Sequence, residues 1–194
     1  MRWMARVRSI LLKPKEAWVA IKAEPATVSG LFSSYVLILA AVPPAAQFVG
    51  RMIFRAQIPF ARVPVWSVAR ALSYAILAYA LSLAIVCILA LIIDALAPGF
   101  SSVRNMTNAF KLVAYSLTPG WAAGILNLLP TLHVVSLLGY LYGLYILYRG
   151  FETPMMETPR EKVMGYLGIS LIAVVVLFFL AGLVIGGIFA FRLI

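Results

Sequence analysis

Acidic side chains are scarce in this chain: six, against sixteen lysines and arginines, in 194 residues that also hold one histidine and one cysteine. Charged residues of both signs make up 11%, whereas a soluble chain carries ~25% because its surface must stay hydrated. Set against 64% hydrophobic residues, that shortage excludes an ordinary soluble domain and makes lipid the expected solvent. Cys87 stands alone in an apolar run, which excludes an intramolecular disulfide and a cysteine metal cluster. His133 has no carboxylate or cysteine beside it and does not read as a metal ligand. No nucleophile, base and acid can be assembled into a set, and there is no glycine-rich phosphate loop or pair of buried carboxylates. Hydrolysis and group transfer are therefore not expected, and neither is a cofactor or a metal.

What the chain does have is long uncharged runs. A membrane-spanning helix needs about 20 mostly apolar residues, and cutting the sequence at its charges leaves four runs of that length: Pro25 to Gly50, Ala71 to Ile93, Leu112 to Tyr148 and Val163 to Phe191. The third holds 37 residues, about two crossings, and Asn127-Leu128-Leu129-Pro130-Thr131 near its middle reads as a tight turn. The expected fold is all-α: a polytopic bundle of five transmembrane helices. A re-entrant hairpin over 112–148 is the competing reading of the third run.

Lysine and arginine are enriched in cytoplasmic segments. With the N-terminus inside, eleven of the sixteen fall on the inner side, and Arg51, Arg55, Arg62, Arg70 and Arg192 on the outer. This predicts a cytoplasmic N-terminus and a periplasmic C-terminus. The formal charge of +10 would suit nucleic acid, but basic residues spread between apolar runs are the pattern of a protein oriented in an anionic membrane. Membrane lipids are the expected partner, and nucleic acid is not.

Residues 1–25 form the expected cytoplasmic N-terminal part, and 26–194 a single transmembrane domain. In the first part Arg2, Arg6, Ser9 and Lys13 recur at helical spacing, while Trp3, Val7, Ile10 and Leu11 fall on another face, as in a helix lying in a membrane interface. Pro14 starts a second short helix, where proline is tolerated at the first position. No continuous apolar core of a cleavable signal is present.

Between the first two spans, Arg51, Arg55 and Arg62 alternate with apolar residues, and no acidic residue occurs from Pro25 to Ile93. These arginines, with Arg2, Arg6 and Lys13, are the candidate contacts for anionic lipid. The third span places Ser116, Gly120, Ala123 and Asn127 on one face, with Tyr115, Thr118 and Pro119 beside it. Pro119 frees a backbone carbonyl, so Tyr115, Ser116, Thr118, Pro119 and Asn127 form a candidate polar or kinked site, suited to close packing or to a narrow wet cavity. Gly139 and Gly143, and Gly182 and Gly186, are pairs of small residues four apart that let helices approach closely, within one chain or between copies. Asp94 is expected to stay hydrated or to pair with Arg104 or Lys111. Thr158 and Glu161 have the spacing of a capping box, and Met155 and Met156 read as part of an ordinary surface loop.

Leu12-Lys13-Pro14-Lys15-Glu16-Ala17-Trp18, followed by Ile21, Glu24 and Pro25, resembles the opening of bacterial Yip1-domain membrane proteins. Gly99-Phe100-Ser101-Ser102, leading through Ala114-Tyr115-Ser116-Leu117-Thr118-Pro119, resembles that family's loop and third-helix signature, with Ala114 where glycine is usual. The resemblance implies a five-helix fold with a cytoplasmic N-terminus in a bacterial inner membrane. Eukaryotic members act in vesicle traffic by binding prenylated Rab GTPases; the acidic signature they carry before the first helix is missing, so that role does not transfer. The expected function is a non-enzymatic scaffold or adaptor that organises lipids or partner membrane proteins, with a homo-oligomer among the expected assemblies. The alternative is a passive channel or transporter for a small solute or ion, where the near absence of intramembrane charge counts against coupled transport.

Overall fold

A computed structural model describes residues 2–53, 66–153 and 155–190, with the side chains of Arg2, Trp3, Pro130 and Ala190 outside the description. Among the described residues the chain is helical throughout and has no strand. Two short helices come first, α1 (Arg2–Leu12) and α2 (Pro14–Ala23), the latter with proline in its first turn. The long helices follow: α3 (Val28–Ile53), α4 (Val68–Leu96), α5 (Met106–Ala123), α6 (His133–Glu152) and α7 (Arg160–Ala190).

The helices begin at polar caps rather than at the edges of the apolar runs. Thr27, Ser67 and Asn105 accept hydrogen bonds from the backbone N–H groups of Gly30, Arg70 and Asn108 at 3.1, 3.2 and 3.0 Å, satisfying donors that a first turn leaves open. Within α3 the stretch Phe32–Val36 widens to a π-helix, where the hydroxyls of Ser33 and Ser34 donate to the carbonyls of Ser29 and Gly30 at 2.9 and 2.6 Å. The regular helix is interrupted at Ala41 and resumes at Val42, so that Pro43 and Pro44 fall in a first turn, where a missing N–H costs least.

Among the described residues, four helical stretches are long and apolar enough to cross a membrane: Val28–Ile53, Val68–Phe100, His133–Glu152 and Arg160–Phe189. The sequence led to an expectation of five. The difference is α5, whose 18 residues include Asn108, Lys111, Thr118 and Pro119 and so fall short in apolar character. Twelve of those residues are buried, whereas only 6% of the most apolar window of α7 is covered. Protein surrounds α5 in place of lipid, which is why a less apolar sequence suffices there.

One end of the bundle gathers α1, α2 and the α4–α5 and α6–α7 loops. Val103 N–H donates to the Met156 carbonyl at 3.0 Å and Asn108 Nδ2 to the Met155 carbonyl at 2.9 Å. Arg104 pairs with Asp94 at 3.1 Å, and Lys22 with Glu157 at 3.8 Å. Two expectations fail in this region. Met155 and Met156 are 1% and 2% exposed, filling the core beneath the loop as flexible thioethers do in irregular gaps. The Thr158 hydroxyl accepts a hydrogen bond from Ser102 at 2.8 Å, so it ties two loops together where a cap had been expected.

At the other end, α5 passes into 3-10 turns over Gly124–Leu128 and Pro130–Leu132 before α6 returns antiparallel to it. This turn is level with the end of α3: a Cβ on Gly50 would lie 2.5 Å from the Leu128 carbonyl oxygen.

Candidate functional site

Lys111, Tyr115 and Thr118 recur at helical spacing along one side of α5 and meet α1, α2 and α3. Lys111 is 4% exposed, and its ammonium donates to the carbonyls of Ile21 at 2.9 Å and Glu24 at 2.7 Å. It thereby satisfies carbonyls at the C-terminal end of α2, where a cation also suits the helix dipole. The Glu24 carboxylate pairs with Arg6 of α1, and the Arg6 guanidinium stands 5.9 Å over the Tyr115 ring.

Tyr115 is held edge-on by Tyr35 and Trp18, at centroid distances of 5.0 and 6.2 Å, a favoured arrangement for aromatic quadrupoles. Thr118 donates its one hydroxyl proton to the Ala114 carbonyl at 3.1 Å. The Tyr35 hydroxyl, 2.8 Å away, is therefore the donor to Thr118. Trp18, wholly buried, donates through Nε1 to the Ile146 carbonyl at 3.1 Å, and Tyr142 donates to the Leu11 carbonyl at 2.9 Å. The chemical capacity of this cluster is to bind: its partners join the two N-terminal helices to α3, α5 and α6.

Of the candidate polar residues, the structure brings Tyr115 and Thr118 together. Ser116 and Pro119 turn towards α6, where a Cβ on Gly143 would lie 2.5 Å from the Ser116 carbonyl oxygen and one on Gly139 2.6 Å from that of Pro119. The Tyr140 ring lies against Gly120. Asn127 is at the opposite end, beyond α5, with its backbone carbonyl against Gly50. Among the described residues, Gly182 and Gly186 have no neighbouring atom within 4 Å of where a Cβ would stand, and both glycines are exposed.

The candidate lipid contacts divide as well. The Arg6 side chain is 17% exposed and paired, while Lys13 is 68% exposed beside Glu16 at 3.3 Å. Arg51 packs against Trp66 and Tyr74 at the far end. Arg55 and Arg62, like the side chain of Arg2 and all of Arg192, lie outside the described residues. Near α2 an open groove of about 530 Å³ is lined by Lys15, Val19, Arg149, Glu152, Arg160 and Met164 among others.

A family model described as Yip1 domain matches residues 8–183. The chain belongs to the Yip1-domain family. The match takes in α2 through α6 entire, the C-terminal part of α1 and most of α7, so the cluster on α5 and its partners other than Arg6 lie within the Yip1 domain. No curated protein and no solved structure matches this Yip1-domain chain significantly.

Sequence reasoning missed Trp18, Tyr35 and Lys111 as members of the cluster, and the inward turn of Arg6. A signal for α2 was present: Ala17, Trp18 and Ile21 lie on one helix face and are all buried. Lys111 carried a weaker one, as a lone lysine between Phe110 and Leu112 in a helix.

Proposed function

We propose that this Yip1-domain protein is a non-enzymatic, multi-pass adaptor of a bacterial inner membrane that organises lipids and partner membrane proteins through exposed helix faces. The observation that carries this reading is the contrast between the two glycine pairs: Gly139 and Gly143 are consumed by packing on α5, while Gly182 and Gly186 face nothing among the described residues. Small residues are the usual means by which one membrane helix admits another. The occupant of this face is a second copy of the chain or another membrane protein, and lipid fills the rest.

Five crossings fit the geometry better than three with a re-entrant hairpin over 112–148, because the turn after α5 reaches the end of α3. Basic residues of α1, α2 and the two loops share one end of the bundle, which is the cytoplasmic end in this reading, and α7 finishes on the periplasmic side. A passive pore through one copy is the weaker reading. The small-residue stripe that would line it is filled by Tyr140, Gly139 and Gly143 of α6.

Cysteine crosslinking tests the adaptor face. In a Cys87→Ser background, Gly182→Cys should give a crosslinked pair in native membranes, and Val174→Cys, at a buried position, should not. Equal reaction at the two positions, or none at either, contradicts an interaction face on α7.

A further inference from the structure

Two arginines meet at the end of the bundle remote from α1. Arg51, near the end of α3, places its guanidinium carbon 4.1 Å from the ring centroids of both Trp66 and Tyr74. Arg70, in the first turn of α4, stands 4.7 Å from the same Trp66 ring. The rings are themselves fixed: Trp66 stacks on Phe189 of α7 at 5.7 Å, and Tyr74 meets both edge-on at 5.5 and 5.4 Å. Arg70 Nη2 donates to the Phe189 carbonyl at 2.7 Å. Arg51 Nη1 and Arg70 Nε are buried and have no hydrogen-bond partner among the described residues.

Charge makes this arrangement incomplete. No acidic residue occurs between Pro25 and Ile93 or after Glu161, and the N-terminal end of α4 adds its own positive dipole. Aromatic faces attract the guanidinium groups but do not neutralise them. Two forked donor groups, each with a nitrogen left unpaired and with no carboxylate beside them among the described residues, match the oxygens of a phosphate group.

We infer that Arg51 and Arg70 hold the phosphate of an anionic phospholipid headgroup at the membrane surface. Both arginines lie at the ends of membrane-spanning helices, and exposed Ile53, Val68, Leu72 and Ile188 beside them offer apolar surface for acyl chains. The inference deepens the lipid-organising part of the proposed function and rests on it, while the crosslinking on α7 tests the protein-binding part separately.

Native mass spectrometry of the full chain, with phosphatidylglycerol, phosphatidylcholine or inorganic phosphate added in turn, decides it. The expected result is retained phosphatidylglycerol, lost by roughly tenfold or more in the double variant Arg51→Gln, Arg70→Gln, as for removal of charge-assisted hydrogen bonds, and unchanged in Arg8→Gln at the other end. The variant Arg51→Lys, Arg70→Lys keeps the charge but not the fork and should weaken retention by less, which preserves the test if the glutamine variant fails to fold. Retention unaffected by either double variant, or phosphatidylcholine held as well as phosphatidylglycerol, overturns the site. Inorganic phosphate held in place of lipid overturns the headgroup assignment.

Discussion

Lys111 Nζ lies 2.9 Å from the carbonyl oxygen of Ile21, a hydrogen bond that reaches across ninety residues of sequence to fasten α2 to the centre of the bundle. A hydrogen bond from a charged group contributes about 1.5–3 kcal/mol, and a second, to Glu24, shares the same ammonium. Burial of the lysine offsets part of that. Lys111→Met should lower stability by about 1–3 kcal/mol and speed proteolytic cleavage near Glu24, read by thermal unfolding and limited proteolysis in detergent. An unchanged midpoint and an unchanged digest contradict the fastening role.

The two glycine pairs should respond in opposite ways. Gly143→Leu forces a side chain onto the Ser116 carbonyl, which has no room to move, and overpacking of this kind costs about 1–3 kcal/mol or more. Gly182→Leu meets no atom of the described residues at its Cβ and should leave the stability within about 0.5 kcal/mol of the parent, as for other open-surface changes, while reducing self-association by mass photometry. Equal destabilisation by both substitutions would place α7 inside the bundle and remove its docking role.

Topology has a direct readout. Alkaline phosphatase fused after Ile194 should be active, because the reading of the charges puts that end in the periplasm, and a fusion after Glu157 should be inactive. The reverse pattern overturns the orientation.

The outward face of α1 should retain an attraction for anionic membrane. A peptide of residues 1–13 is expected to bind anionic vesicles and to release as salt is raised past the Debye length regime of about 10 Å at 0.1 M. Equal binding to neutral vesicles removes the electrostatic part of the argument.

How much of this could be read in the sequence depends on the range of each interaction. The apolar runs, the start of α2 at Pro14, the turn between α5 and α6 and the pairing of Asp94 with Arg104 are set by nearby residues, and each was legible. Helix starts were misplaced because charges were used as boundaries, whereas Thr27, Ser67 and Asn105 define them through backbone hydrogen bonds. Arg6 fell on the polar face of α1 by periodicity, yet its partner Glu24 comes from the end of the next helix. Lys111 marks the edge of an apolar run, where Asp94 is the partner the sequence offers, while its carbonyl partners are fixed only by docking of α2. Met155 and Met156 read as surface residues because proline and glutamate flank them; their burial comes from the loop folding against α2 and α5. The candidate site was half visible for the same reason: Tyr115 and Thr118 belong to one helix, whereas Trp18 and Tyr35 reach them from two others.

Solute flux through liposomes holding the purified protein tests the central claim most directly. As an adaptor with a filled centre, the protein should pass small solutes and ions no faster than empty liposomes do. Saturable movement that disappears on changing Tyr115 or Asn127 would contradict that account and establish a pore.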